Sequence, residues 1–480
     1  MSLTNWILLL THVVIAPLTA THAVLSKRDS RSAFGWISIC ILFPLAGPIL
    51  YTLFGLNRVR SRARRMTDDA EPAPTWLHKV LAQERVTPAL MSHRAVAACD
   101  DPPFALSPIG ARLSGQAVSA GNEVEPLING DEAYPQMLEA IGRAQHSVSL
   151  CTYIFDNDST GHRFVDALEQ ARERGASVRV LIDGVGQHYS RPSVRRRLRR
   201  AGLTHATFMP PRLIPPALHI NLRNHRKVLV IDEAIGFTGG MNISDRHVTQ
   251  AGGHVQDVHF KVTGPVVTAL ESAFAKDWAF ATDTEAAEPR ECRGAMNGPS
   301  SCRVITDGPD EELDRLSMLI NAVVSSARKR VLIMTPYFLP SRDLIAALQA
   351  AAVRGVDIRV VLPEKNNLWF VHAATMNMLW ELLQYGVHVH FQPPPFVHTK
   401  LLVVDDDYTL VGSANLDPRS LRLNFELGLE VFCRRFAQKA AGHFHRCLAD
   451  ARAVSLSEVE ARSLPARLRD ATCWLFSPYL

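Results

Sequence analysis

His225-Arg226-Lys227-Val228-Leu229-Val230-Ile231-Asp232 and His398-Thr399-Lys400-Leu401-Leu402-Val403-Val404-Asp405 follow one pattern: His, any residue, Lys, four apolar residues, Asp. Each is followed at the same distance by a Gly-rich turn ending in Asn, Gly239-Gly240-Met241-Asn242 and Gly412-Ser413-Ala414-Asn415. A single His-Lys pair reads as well as a solvated strand end. Two copies with matching tails mark a duplication that keeps its chemistry.

The apolar, mostly β-branched runs suit strands buried on both faces. Side chains alternate along a strand, so His225 and Lys227 share a face, as do His398 and Lys400. Imidazole is the side chain that can act as nucleophile or proton carrier near neutral pH. The ammonium beside it would bind a phosphate oxygen. Asp232 and Asp405, seven residues after the His, have the wrong parity for that face. They are expected at the strand end, ordering the Lys or the backbone. The glycines allow close backbone approach, and the amides of Asn242 and Asn415 can donate to an anionic oxygen. With two histidines, one can attack phosphorus while the other protonates the leaving oxygen. Lysine and asparagine can carry the phosphoryl charge without a metal. The candidate catalytic set is His225, Lys227, Asp232, His398, Lys400 and Asp405, supported by Asn242, Ser413 and Asn415.

The surrounding chain repeats as well. Strand runs are expected at Val148–Phe155 and 178–183, helices at Gly161–Arg174 and 193–200, and then the first motif. Strands at 331–338 and 358–362 and helices at 343–354 and 376–385 precede the second. Landmarks correspond: Gly130 with Gly308, Tyr153 with Tyr337, Arg174-Gly175 with Arg354-Gly355, Ala201-Gly202 with Tyr385-Gly386. Alternating strands and helices predict an α/β fold with largely parallel strands. A repeat of about 175 residues is a duplicated domain, not a solenoid. The expected divisions are a first domain at 121–288, a linker at 289–300 and a second domain at 301–480.

Each motif His needs an acceptor on its other ring nitrogen. Asp257 and Glu426, each about 30 residues after a motif His in an alternating stretch, are the candidates. Arg223, Arg419 and Arg422 flank the motifs and are placed to meet a phosphate. The run Arg191, Arg195, Arg196, Arg197, Arg199 and Arg200 reads as a solvated helix face more readily than as a nucleic-acid or lipid surface.

The paired motifs resemble the phospholipase D superfamily. That resemblance implies a pseudo-twofold α-β-α sandwich, one motif from each half in a shared site, a covalent phosphohistidine and an acidic partner behind each His. Closer wording is similar to the bacterial cardiolipin synthase family: Arg223-Asn224-His225-Arg226-Lys227, Gly236-Phe237-Thr238-Gly239-Gly240-Met241-Asn242-Ile243, Phe274-Ala275-Lys276-Asp277-Trp278, Gly412-Ser413-Ala414-Asn415-Leu416-Asp417-Pro418-Arg419-Ser420 and the C-terminal Phe476-Ser477-Pro478-Tyr479-Leu480. The chain departs from the family at Gly240, where the second tail has Ser413, and at Val255-Gln256, where Trp and Arg are usual.

With 480 residues, 47% apolar and 21% charged, the chain can build two or three cored domains. Its eight scattered cysteines form no CxxC pair, so neither a disulfide framework nor a zinc site is indicated. Two apolar runs, Trp6–Leu25 and Phe34–Phe54, are each long enough to span about 30 Å of hydrocarbon. They predict an N-terminal transmembrane hairpin within 1–65, with His12 and His22 as packing or interfacial residues. Arg58, Arg60, Arg62, Arg64 and Arg65 outweigh Lys27, Arg28 and Arg31, which places everything after residue 55 in the cytoplasm. Residues 66–120 read as a tether.

The resemblance implies a multi-pass bacterial inner-membrane transferase that joins two phosphatidylglycerols into cardiolipin and glycerol without cofactor. Family analogy makes His225 the nucleophile and His398 the acid and then the base, and the symmetry leaves the reverse open. Phosphatidylglycerol and cardiolipin are the implied partners, nucleic acid is not, and no protein partner is indicated. A phospholipase D-type hydrolase and, more distantly, a membrane-tethered nuclease are the alternatives.

Overall fold

The structure is a computed structural model that describes residues 11–26, 30–55, 106–210, 222–287, 292, 294, 296–310 and 312–477. Its contacts divide the chain into two compact units: residues 1–73 with 309–311, and the remainder.

The larger unit contains two sheets built to one plan. The first has β1 (Glu123–Ile128), β2 (Ser147–Thr152), β3 (Ser177–Asp183), β4 (Thr204–Phe208), β5 (Val228–Ile231), β6 (Ile235–Gly239) and β7 (Val258–Thr263), in the order β1-β7-β6-β5-β2-β3-β4. The second has β8 (Gly298–Asp307), β9 (Arg330–Met334), β10 (Asp357–Pro363), β11 (His388–Gln392), β12 (Leu401–Val404), β13 (Tyr408–Gly412), β14 (Asn424–Phe432) and β15 (Arg452–Val454). Its order, β8-β14-β13-β12-β9-β10-β11, matches strand for strand, with β15 added at one edge. Among the strands named so far only β2-β3-β4 and β9-β10-β11 run parallel, and the other ladders between them are antiparallel. The expectation of largely parallel strands is therefore corrected. Crossover helices force parallel pairing only early in each half, and each motif strand then returns through tight hairpins.

Helices cover both faces. In the first half α1 (Asn129–Arg143) and α2 (Ser159–Glu173) pack Ala133, Met137, Ile141, Phe164 and Leu168 against Leu229, Ile231 and Phe237. Helix α3 (Val266–Thr282) packs against the same sheet. In the second half α4 (Arg315–Ser326) and α5 (Arg342–Val353) bury Leu316, Leu319, Val323 and Leu348 against Leu402 and Val404. Helix α7 (Arg434–Ala449) stands where α3 does, and α6 (Trp369–Met378) precedes β11. Every residue of β5 and β12 is buried, as strands between helical layers must be.

Asp232 and Asp405 end the motif strands. Both lie in the left-handed region, φ 51° and 53°, at the turn into the next strand. The Asp232 carboxylate accepts from the backbone N–H groups of Gln145, His146 and Ser147 at 2.9, 2.7 and 2.8 Å. Asp405 accepts likewise from Arg328, Lys329 and Arg330 at 3.1, 2.7 and 3.1 Å. Each lies five residues beyond its Lys, roughly 16 Å along an extended chain. Grouping them with the catalytic residues is corrected: they pin the start of β2 and β9 to the motif strand.

Two boundaries also shift. Residues 106–120, expected in the tether, include a helix at Ser107–Ser114 and a strand at Ser119–Gly121 that pairs antiparallel with β8. The rest of the tether, 66–105, lies outside the described residues. The expected linker at 289–300 already contains the start of β8 at Gly298. Tyr153 and Tyr337 are not counterparts. Thr152 and Thr335 make the same hydroxyl bond two residues ahead, to Ile154 O and Tyr337 O. Tyr153 therefore matches Pro336.

In the smaller unit, helical turns cover Thr11–Ile15 and Ala16–Ser26, then Ser30–Leu42, and then Ala46–Leu50 and Tyr51–Gly55. No helix among the described residues is long and apolar enough to cross a membrane. The apolar run 34–54 is interrupted by a turn at Pro44, and the start of the first run, 6–10, lies outside the described residues. Ala23, Trp36, Cys40 and Tyr51 pack together, and His22 Nδ1 lies 2.8 Å from the Tyr51 hydroxyl, as expected of a packing residue.

Asp232→Ala should lower stability by about 2 kcal/mol, the scale of hydrogen bonds to a charged group, without altering the site's chemistry. Burial raises the Asp232 pKa but the three backbone donors outweigh it, so the folded value is depressed. Its contribution is therefore present above the unfolded pKa of about 4 and is lost as pH falls through the folded value. Thermal unfolding from pH 7 to pH 3 should show a shallower loss in the variant than in the parent.

Candidate active site

The two motifs meet because short strands cross between the halves. Arg223–Asn224, just before the first motif, pairs parallel with the start of β14, Arg223 opposite Asn424 and Asn224 opposite Phe425. Phe396–Val397, just before the second, pairs parallel with Val255–Gln256. The motif histidines continue these ladders: His225 N donates to Phe425 O at 2.9 Å and His398 N to Gln256 O at 2.7 Å. Each His is thereby set beside the acid of the other half.

His225 Nδ1 lies 3.1 and 3.0 Å from the two Glu426 carboxylate oxygens, and His398 Nδ1 lies 2.8 Å from Asp257 Oδ2. Both carboxylates are fully buried. An ionised acid on Nδ1 fixes the tautomer that presents Nε2 to the cleft. The crossing left no trace in the sequence, because spacing locates an acid on the chain and not across an interface.

The two acids are held differently. Ser413 Oγ and Ser420 Oγ donate to Glu426 at 2.5 Å each, and Asn424 Nδ2 donates at 3.1 Å. Burial pushes the Glu426 pKa up, but His225, Lys227 and Ser413 outweigh it and hold the group at about 2. Asp257 has Val258 N–H at 2.8 Å besides His398, and burial, only partly offset by Lys400 and His247, pushes it up. At Gly240, where the second tail has Ser413, a Cβ would stand 2.8 Å from Asp257 Oδ2 and 3.0 Å from Lys400 Cδ, so a serine there would require these side chains to shift.

Lys227 and Lys400 each donate to the carbonyl of their own motif His at 2.6 Å. Lys227 Nζ also lies 5.5 Å from the centre of the Tyr153 ring, which meets the His225 ring edge-on at 5.2 Å. Burial lowers both lysines, Lys227 to about 8 and Lys400 to about 7. Burial lowers His225 against the pull of Glu426, and lowers His398 much further, reinforced by Lys400 and Lys227. An anion arriving beside these desolvated groups would favour their charged forms.

Asn242 is buried, and its Oδ1 accepts from Ile154 N–H at 3.1 Å, which leaves the amide NH₂ as the donating end. Asn415 is buried too, its backbone N–H bonded to Ser420 Oγ at 2.8 Å and its Oδ1 without a partner. Arg223 is buried, while Arg422 is exposed. Burial and the nearby Arg223 lower the Arg419 pKa, so these two guanidiniums share one neighbourhood. The arginine run forms a short helix, Arg195–Arg200. Arg195 Nη1 donates to Gln187 and Arg197 pairs with Asp166, while Arg196, Arg199 and Arg200 face outward.

Sequence reasoning missed Ser420, Asn424, Tyr153 and a buried network around Arg226. Arg226 donates to Asp277 at 2.7 Å, Glu426 O at 3.0 Å, Asp307 O at 3.0 Å and Glu312 at 3.0 Å. Asn224 Nδ2 also donates to Asp277, at 2.9 Å. Ser420 and Asp277 stood in stretches quoted for their family wording, which was the available signal.

The description "Cardiolipin synthase, PLD-like domain" matches residues 137–278 and 320–448, and "Phospholipase D-nuclease N-terminal" matches residues 6–55. The chain is 31% identical to the major cardiolipin synthase ClsA of Bacillus subtilis over 461 residues, 95% of each chain. It is 28% identical to the cardiolipin synthase of Listeria innocua over 486 residues, 99% of this chain and 98% of that one. Among solved structures, phosphatidylserine synthase of Haemophilus influenzae covers 74% of this chain and 95% of its own, with a TM-score of 0.59 at 16% identity. That likeness concerns the fold.

Glu426→Gln should lower kcat on the order of 10⁴-fold, the scale seen when a buried acid behind a catalytic imidazole is neutralised. Ser420→Ala should cost roughly tenfold, the scale of about 1–3 kcal/mol for leaving a buried acceptor short of a hydrogen bond. Steady-state kinetics on the folded variants checks both.

Proposed function

The chain belongs to the cardiolipin synthase family with phospholipase D-like domains, and on that premise we infer that it transfers a phosphatidyl group between two phosphatidylglycerols. The products are cardiolipin and glycerol. The observation that carries this reading is the pair of imidazoles, each backed by a fully buried carboxylate and accompanied by a lysine.

His225 Nε2 attacks phosphorus of the first phosphatidylglycerol. His398 gives its proton to the departing glycerol oxygen, and the phosphatidyl group remains on His225 through a P–N bond. The ring is then cationic, and Glu426, held ionised near pKa 2, is the better of the two acids to stabilise that charge. An incoming phosphodiester anion raises the pKa of His398, whose depression comes from burial and from Lys400 and Lys227. That lets it hold the proton the leaving group needs. In the second step neutral His398 takes the proton of the terminal hydroxyl of the second phosphatidylglycerol. The freed oxygen attacks phosphorus and the P–N bond breaks. Lys227, Lys400 and the amides of Asn242 and Asn415 are assigned to the non-bridging oxygens. One phosphodiester replaces another, so no nucleotide is consumed.

We further propose that residues 1–65 hold the enzyme in the bacterial inner membrane as a two-pass hairpin, with the catalytic halves cytoplasmic. Support comes from the two apolar runs and from the outward-facing Leu18, Leu25, Phe34, Leu42, Phe43 and Ile49. Both substrates stay in the bilayer, which suits an anchored enzyme.

Purified protein mixed with phosphatidylglycerol in detergent micelles, without nucleotide, should yield cardiolipin and equimolar glycerol by lipid mass spectrometry. His225→Ala and His398→Ala should each abolish both products. Phosphatidic acid with glycerol and no cardiolipin would make water the acceptor and replace the transferase reading by hydrolysis.

A further inference from the structure

The two halves differ at the residue between the motif His and Lys, Arg226 in the first and Thr399 in the second. The Arg226 guanidinium fills the space between α3 and the β8–β14 edge, pairing with Asp277 on α3 and bonding carbonyls of Glu426 and Asp307. In the second half the equivalent space lies between α7 and the β1–β7 edge. Thr399, at the position of Arg226, leaves it open. It is a groove of about 530 Å³, within the usual range of small-ligand sites of about 300–1,000 Å³.

Pro126, Ile128, Val258, Phe260, Leu401 and Ala440 make its walls apolar. Arg435, Lys439, Gly442 and Arg446 follow one another at steps of four, three and four, so they share one face of α7 and line the opening. Among the described residues no carboxylate lines it. Thr399 lines this space and is 1% exposed. Apolar walls and three cations at the rim match an amphiphile with an anionic head.

We propose that this groove is a second, non-catalytic site for an anionic glycerophospholipid, with an acyl chain along Val258, Phe260 and Leu401 and the phosphate at Arg435, Lys439 and Arg446. The site adjoins the catalytic cleft from behind, since Thr399 lies between His398 and Lys400, and Val258 follows Asp257. Its occupancy therefore bears on how firmly the second imidazole and its acid are held. This goes beyond the transfer reaction, and its test reads binding, so it can fail while that reaction stands.

The test is native mass spectrometry of the full chain in neutral detergent, with dioleoyl phosphatidate as probe and dioleoyl phosphatidylcholine as control. The parent should retain phosphatidate in preference to phosphatidylcholine. The triple variant Arg435→Gln, Lys439→Gln, Arg446→Gln should retain it roughly tenfold less or weaker, and Ala440→Phe, which fills the groove, should do the same. The triple variant changes only exposed side chains, so it remains informative if Ala440→Phe does not fold. Unchanged retention in the triple variant would assign the lipid to the catalytic cleft or the N-terminal residues and overturn the proposal. Equal retention of phosphatidylcholine would overturn the anionic assignment.

Discussion

Two carboxylate–imidazole pairs, each made across the interface between the halves, are the constraint on which this structure rests. Glu426 lies behind His225 and Asp257 behind His398, and both acids are fully buried. A buried charge without a partner is costly enough to change its protonation or unfold its surroundings. Were the halves separated, each acid would lose its imidazole and each motif Lys the opposite carboxylate. Duplication here is therefore not two sites side by side. The short parallel pairings Arg223–Asn224 with Asn424–Phe425, and Phe396–Val397 with Val255–Gln256, set the register that makes the crossing work.

Within that frame the symmetry is broken in a consistent direction. Glu426 is clamped by two serines and an asparagine, whereas Asp257 is shorter and faces Gly240, which offers it no side chain. The first half locks its motif with Arg226 and Asp277, and the second leaves Thr399 beside a groove. One imidazole is thus rigidly backed by a firmly ionised acid. The other sits among cations with an acid of raised pKa, an environment that responds to whatever anion arrives.

The fold was legible because apolar runs of strand length, repeated with the same landmarks, leave few alternatives. Val228–Ile231 and Leu401–Val404 are buried throughout, and the helices expected at 161–174, 193–200 and 343–354 lie close to those bounds, whereas the one expected at 376–385 begins at Trp369 and breaks after Met378 before resuming over Trp380–Leu383. Strand direction was not legible, because alternation of elements says nothing of the hairpins that return each chain to its sheet. Parity along the strand placed Asp232 and Asp405 away from the imidazoles, and the backbone bonds explain why those positions are aspartates. The acids behind the histidines could be named but not paired, since pairing is a property of the interface. The one-residue offset of Tyr153 against Tyr337 shows the limit of matching landmarks by type. In the structure Tyr153 touches the first motif, whereas Tyr337 bonds Asn367.

The central claim is that phosphorus is held on one particular imidazole with Glu426 behind it. The most direct measurement is peptide mass spectrometry of enzyme mixed with phosphatidylglycerol and quenched within its first turnovers in alkaline denaturant, which preserves a P–N bond. The account predicts one phosphatidyl adduct on the peptide bearing His225, absent from Glu426→Gln. An adduct on the peptide bearing His398 would reverse the roles of the two halves, and turnover without any adduct would contradict the covalent mechanism.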